Sequence, residues 1–286
     1  MSGRTNLAAW RTHRSGVSTV DELVAALAVE QLSATDFTGH STAVPERRVF
    51  GGQLLAQCAV AATLTVPEPA ALHSMHAYFV RAARPAVKLQ FEVTTLRDGR
   101  SFTVRRVEAL QDNEVVTSVT ASFHVPEDGL THQDPMPDRR PPAELPGRTP
   151  FHTAPDGPAR AGAVELRACE PVPGRPESSV WMRINAPLPD DPVLHQAMLV
   201  YLSDFSILHG AFIRHDVARP AIHTASLDHS IWLHRPARAD DWLLYESRSP
   251  SAAGARAMGQ AALFTTTGEL AATAAQEMLI RRRGEP

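Results

Sequence analysis

One order of elements occurs twice along this chain, and that repeat restricts the fold more than any other feature. Residues 50–65 (FGGQLLAQCAVAATLT) read as a helix that is apolar on nearly every side and therefore buried. Four strand-like runs follow at 72–80, 87–97, 102–111 and 114–125, with Asp98-Gly99 and Asp112-Asn113 as turns. A second largely apolar helix begins at Asp191-Pro192, an N-cap followed by proline at the first helical position, and is expected to run to Leu208. Strand-like runs then recur at 221–233, 242–249, 255–266 and 269–281, with Thr267-Gly268 as a turn. Laid together, "AYFVRAARPAVKLQFEV" (77–93) matches "IWLHRPARADDWLLYES" (231–247) with Arg81 over Arg235. "VVTSVTASFHV" (115–125) likewise matches "LAATAAQEMLI" (270–280). Each unit reads as a central helix wrapped by an antiparallel sheet, an α+β arrangement in which the second half completes the first.

Between the repeats the chain changes character. Residues 126–176 hold 12 of the 23 prolines, which predicts a linker across the surface with a strand at 163–169. The expected division is a first unit over 18–126, a linker over 127–176 and a second unit over 177–283. Residues 21–32 (DELVAALAVEQL) read as a short amphipathic helix with Asp21 as a cap. With 286 residues and 43% apolar content there is material for two real cores. A formal net charge of -3 gives no basic field for nucleic acid. Cys58 and Cys169 form no CxxC or metal spacing, which fits a reducing cytoplasm. No signal peptide or membrane span is expected, and RRRGEP is not a peroxisomal ending.

The stretch "TASLDHSIWLHRP" (224–236) concentrates serine, aspartate and histidine, the ingredients of nucleophilic hydrolysis. Alternation along one strand places Ser226, Asp228, Ser230, Trp232 and His234 on one face and His229, Ile231 and Leu233 on the other. A triad needs its members in hydrogen-bond sequence, and this pattern denies it. There is also no GxSxG elbow. Asp228 and His229 are expected to be structural, with water or backbone partners. By the same alternation His73 and His76 point to opposite faces and hold no metal.

Several ordered segments resemble the acyl-CoA thioesterase II family. They are "RVFGGQLLAQ" (48–57), "HSMHAYFVR" (73–81), "LRDGRSFTVRRVEALQ" (96–111) and "ASFHVPE" (121–127) in the first half. In the second half they are "SLDHSIWLHRP" (226–236), "WLLYES" (242–247) and "QEMLIR" (276–281). The resemblance implies a double hotdog, two helix-wrapped antiparallel sheets in one chain forming a pseudo-dimer, and hydrolysis of fatty acyl-CoA to free acid and CoA. It implies a site of aspartate, hydroxyl residue and glutamine around one water, falling on Asp204, Ser226 and Gln276. Many relatives carry threonine where this chain has Ser226, which keeps the hydroxyl and drops a methyl. No metal or organic cofactor is implied.

The chemistry is coherent. Asp204 lies among Val200, Tyr201, Leu202, Phe205 and Leu208, where burial makes a carboxylate a stronger base near neutral pH. Ser226 and Gln276 each have a donor and an acceptor with which to hold a water. Gly51-Gly52, opening the other half's helix, would let substrate approach backbone N–H donors for the oxyanion, or would simply permit tight packing. Arg97, Arg100, Arg105 and Arg106 read as solvated or cross-strand paired rather than as phosphate ligands. Two alternatives stand beside this reading. One is an enoyl-CoA hydratase using Asp204 and His209; on a continuous helix these point about 140° apart. The other is a non-catalytic acyl-CoA binding module. The expected partners are an acyl-CoA substrate and further copies of the chain paired through open sheet edges, with no nucleic acid and no membrane insertion.

Overall fold

The computed structural model describes residues 5–13, 15, 18–41, 48–146, 162–172, 177–215 and 221–282. Two short helices, α1 (Leu7–Thr12) and α2 (Ser18–Leu27), precede strands β1 (Glu30–Gln31) and β2 (Asp36–Gly39). The apolar helix α3 (Gly51–Thr63) follows, then β3 (Ala71–Phe79), β4 (Leu89–Asp98), β5 (Phe102–Gln111) and β6 (Glu114–His124). The second half runs β7 (Val164–Ala168), β8 (Glu177–Ile184), α4 (Pro192–Ser203), α5 (His209–His215), β9 (Ile222–Ser226) and β10 (Asp228–Leu233). It ends with β11 (Leu243–Ala253), β12 (Arg256–Thr265) and β13 (Leu270–Arg282). Among the described residues no helix is long and apolar enough to cross a membrane.

All thirteen described strands join one antiparallel sheet, in the order β1-β2-β4-β5-β6-β3-β10-β13-β12-β11-β8-β7, with β9 beside β13. The halves meet where β3 pairs with β10, Met75 opposite Ile231 and His76 opposite Ser230. Both central helices sit inside the curve and pack on each other. Leu54, Leu55, Val60, Leu194, Met198, Leu199 and Val200 are all buried there, each stabilising the fold by about 1.5–3 kcal/mol. The start of α3 meets the end of α4, because a side chain on Gly52 would stand 2.5 Å from the Tyr201 carbonyl. The repeat is visible in matched bonds: Arg81 Nη1 donates to Val115 O and Arg235 Nη1 donates to Leu270 O.

Four expectations change. The early helix occupies Ser18–Leu27, and Glu30–Gln31 leave it to pair with β2. Strands β2 and β8 each extend the sheet beyond the four runs read in each half, β2 between β1 and β4 and β8 between β7 and β11. The helix from Pro192 stops at Ser203 rather than Leu208. Its last carbonyl, which a continuing helix would bond to residue 207, instead accepts the Tyr245 hydroxyl at 2.6 Å. Finally, the run 221–233 is not one alternating strand. Ser226 faces Met278 but Ser230 faces Ala275, so four steps on one side span three on the other. The same extra residue occurs in the first half between Leu72 and Ser74. Such a bulge reverses the alternation.

The proline-rich segment packs rather than merely connecting. Arg139 makes a two-pronged ion pair with Glu246 and bonds Ser179 Oγ, while Trp181 Nε1 donates to Arg140 O. Leu145 buries against Trp181, Leu244 and Phe264 on the outer face of the second half.

Candidate active site

Asp204 caps the C-terminal end of α4 and is only 8% exposed. Its Oδ2 accepts the Gly52 N–H at 2.8 Å, so the start of one helix holds a carboxylate carried by the other. Two glycines allow that meeting. A side chain at Gly51 would lie 2.7 Å from Asp204 Oδ2 and 2.9 Å from the Phe79 ring, and one at Gly52 would strike the Phe50 ring and Tyr201 O. Gly51 and Gly52 therefore lie against Asp204, whose carboxylate engages the Gly52 amide. Aromatic rings wall the spot: Phe50 packs edge-on to Tyr201 at 5.1 Å and to Phe205 at 5.8 Å.

The strand-borne residues form a chain of hydrogen bonds. Gln276 Nε2 donates to Ser226 Oγ at 2.9 Å. Gln276 Oε1 lies 2.5 Å from His229 Nδ1, and His229 Nε2 lies 2.8 Å from Ser203 Oγ. Ser203 precedes Asp204, so Ser226, Gln276, His229 and Ser203 lead by side chains to the residue beside the carboxylate. Gln276, His229 and Ser203 are buried, and Ser226 is half-buried. Burial pushes the His229 pKa down to about 4, against the raising effects of its Gln276 bond and the Asp228 charge, so the ring is neutral at ordinary pH. Burial first, and the Asp204 charge second, hold the Tyr245 hydroxyl protonated as a donor.

The structure bonds Asp204 to Gly52 beside Gly51, bonds Ser226 to Gln276, links the two sets through His229 and Ser203, and corrects the role expected for His229. Its partners are the side chains of Gln276 and Ser203, not water or backbone. The bulge at Leu227 is the reason, since it turns Ser226 and His229 to one face. Among the described residues this stretch forms no serine triad: Ser226 touches Gln276, and Asp228 accepts the Glu277 N–H at 2.6 Å. The matching bulge places His73 with His76 on the outer face, where they bond Ser122 and Ser230 separately. Because α4 ends at Ser203, the helical angle between Asp204 and His209 no longer applies; His209 Nδ1 pairs with Ser178 Oγ at 2.9 Å. Arg105 is buried and bonds Thr65 and Asp98. Ser203 and Tyr245 went unread, and the partners of His229 were misread, because the groups they bond are remote in sequence; Asp228 and Ser230, polar on both sides of His229, give no local sign of its burial.

Residues 162–279 match the family profile described as acyl-CoA thioesterase, and residues 40–124 match the acyl-CoA thioesterase N-terminal domain. The chain is 34% identical to "Acyl-CoA thioesterase 2" of Haemophilus influenzae over 280 residues, 92% of this chain and 98% of that one. It is 34% identical to human "Acyl-coenzyme A thioesterase 8" over 279 residues, covering 89% and 87%. An acyl-CoA thioesterase II structure from Mycobacterium marinum superposes with a TM-score of 0.81 at 39% identity, covering 93% and 99%. The chain belongs to the acyl-CoA thioesterase II family of thioester hydrolases and has its double hotdog fold.

Proposed function

We propose that the enzyme hydrolyses fatty acyl-CoA through a water activated by Asp204 and positioned by Ser226 and Gln276. The observation that carries this reading is the bonded set itself. A buried carboxylate, held at one oxygen by Gly52 N–H, stands beside the residue from which the Ser203–His229–Gln276–Ser226 chain begins. Ser226 Oγ accepts from Gln276 and so keeps its own proton to donate. Asp204 takes a proton from the water as its oxygen attacks the thioester carbonyl. The tetrahedral intermediate then collapses with cleavage of the C–S bond, and the proton passes to the departing thiolate. Thiolate leaves readily, so no covalent acyl-enzyme is required. Phe50, Phe79, Tyr201 and Phe205 supply an apolar wall suited to an acyl chain. Gly51-Gly52 serves the reading by letting α3 come close enough for the Gly52 N–H to hold Asp204. The units 18–126 and 177–283 then share one site, joined by 127–176, in a cytoplasmic enzyme that self-associates through its sheet edges.

Thiol release from a panel of acyl-CoAs tests this, with wild type beside Asp204→Asn. Asparagine keeps the shape and removes the base, so release should fall by about 10²-fold or more. Tight acyl-CoA binding without release would favour a binding module. Hydration of an enoyl-CoA without release would favour a hydratase using Asp204 and His209.

A further inference from the structure

We propose that His229 is the positioning residue of this site: it fixes the Gln276 amide and ties it to the helix end that carries Asp204. The inference rests on the water-activation reading above. An amide oxygen only accepts, so the 2.5 Å approach of Gln276 Oε1 to Nδ1 requires a hydrogen on Nδ1. The ring is fully buried and neutral, so Nε2 is bare, and the single hydrogen of the Ser203 hydroxyl is shared between Nε2 and the Val200 carbonyl, each at 2.8 Å. That tautomer points the amide oxygen of Gln276 at His229 and its Nε2 at Ser226. A strand-borne pair and a helix-borne carboxylate are thereby held at one spacing. A displacement of about 1 Å between such groups can cost about 10²-fold in rate.

Packing alone does not call for a histidine here. The repeat relates β3 to β10 and β6 to β13, and Met75 opposite Ala121 holds the place that His229 and Gln276 hold in the second half. The first half closes its core there with a thioether and a methyl, both buried.

The test uses the full chain with His229→Met, the residue of the other half, and His229→Asn, whose amide nitrogen stands near the Nδ1 position. The methionine variant should lose about 10²-fold in kcat with KM within about threefold of wild type. The asparagine variant keeps the donor to Gln276 and should recover at least tenfold of that loss. Nitrogen-15 spectra of the histidine rings, assigned by the signal missing from His229→Asn, should show a protonated Nδ1 and a bare Nε2. A methionine variant with near-normal kcat, equal losses in both variants, a change in KM alone, or a protonated Nε2 would each overturn the proposal. Wild type that releases no thiol from any acyl-CoA would overturn the water-activation reading and this inference with it. An active wild type beside an indifferent methionine variant would overturn the inference alone.

Discussion

In the first half of the molecule Leu72 faces Phe123, Met75 faces Ala121 and Phe91 faces Ala109. In the second half the corresponding places hold Ser226 facing Met278, His229 beside Gln276, and Tyr245 facing Leu263. The registers agree, and so does the bulge that precedes each constellation. The helices differ in the same sense: α4 is capped at its C-terminal end by Asp204, whereas the corresponding cap of α3 is Leu64. One backbone therefore supports two fillings. The apolar filling shows what the fold requires at these positions, which is volume. The polar filling costs desolvation, offset only because each group is bonded to the next. On the proposed reading, polarity that the fold does not need marks the half that carries the chemistry.

The largest effect should come from erasing that difference. Moving the first half's residues across, as Ser226→Leu, His229→Met and Gln276→Ala together, should abolish about 10³-fold or more of thiol release while far-ultraviolet circular dichroism stays native. Retained activity would show that the polar set is not the site. A second effect is read in stability rather than rate. The unfolded chain binds a proton at His229 near pH 6.5, but the folded ring does so only near 4. Between these values the unfolded state holds more protons, so this contribution falls as pH drops from about 6.5 to 4, by about 3 kcal/mol in all. His229→Met lacks it. Urea melts of both proteins at pH 7, 5.5 and 4.5 should show wild type losing its margin over the variant, and parallel curves would place His229 outside this linkage.

The repeat, the central helices and most strands were legible because hydrophobic periodicity is a local signal. What escaped depended on remote partners. Nothing near Ser203 announces that Tyr245, 42 positions on, will take its carbonyl and end the helix. Nothing near Leu227 announces an extra residue in the strand, since a bulge is set by register against β13. That slip misplaced His229 relative to Ser226, and its counterpart between Leu72 and Ser74 misplaced His73 relative to His76. Asp204, Ser226 and Gln276 were reached through family resemblance; periodicity alone would have left Asp204 inside a helix.

The outer faces also differ, and Arg139 sharpens this. The first half exposes Tyr78 and Phe102, whereas the second wears the proline-rich segment, fastened by the Arg139–Glu246 pair at 2.9 Å with side chains 11% and 12% exposed. Arg139→Ala would leave Glu246 largely desolvated and unpaired and should lower stability by about 2–3 kcal/mol. The thiol-release rate should stay within about twofold, because the pair lies outside the curve of the sheet. A rate that falls with stability would connect the segment to the site.

The smallest change worth making is Tyr245→Phe, which gives the second half the first half's Phe91. A phenyl ring already fits this environment in the other copy, so overpacking and cavity terms should be slight. What is removed is one hydroxyl, whose 2.6 Å bond satisfies the Ser203 carbonyl at the end of α4. An orphaned buried carbonyl costs about 1–2 kcal/mol, and α4 has a way to recover part of it by extending past Ser203. Extension would rotate Asp204 away from the Gly52 N–H. The variant should therefore lose about 1 kcal/mol in urea melts and more in rate than that loss implies, about tenfold in kcat with KM little changed. Equal stability and equal kcat would mean that the tyrosine is not what stops the helix, and the cause would then lie with Ser203 itself, whose hydroxyl turns back to Val200 O at 2.8 Å.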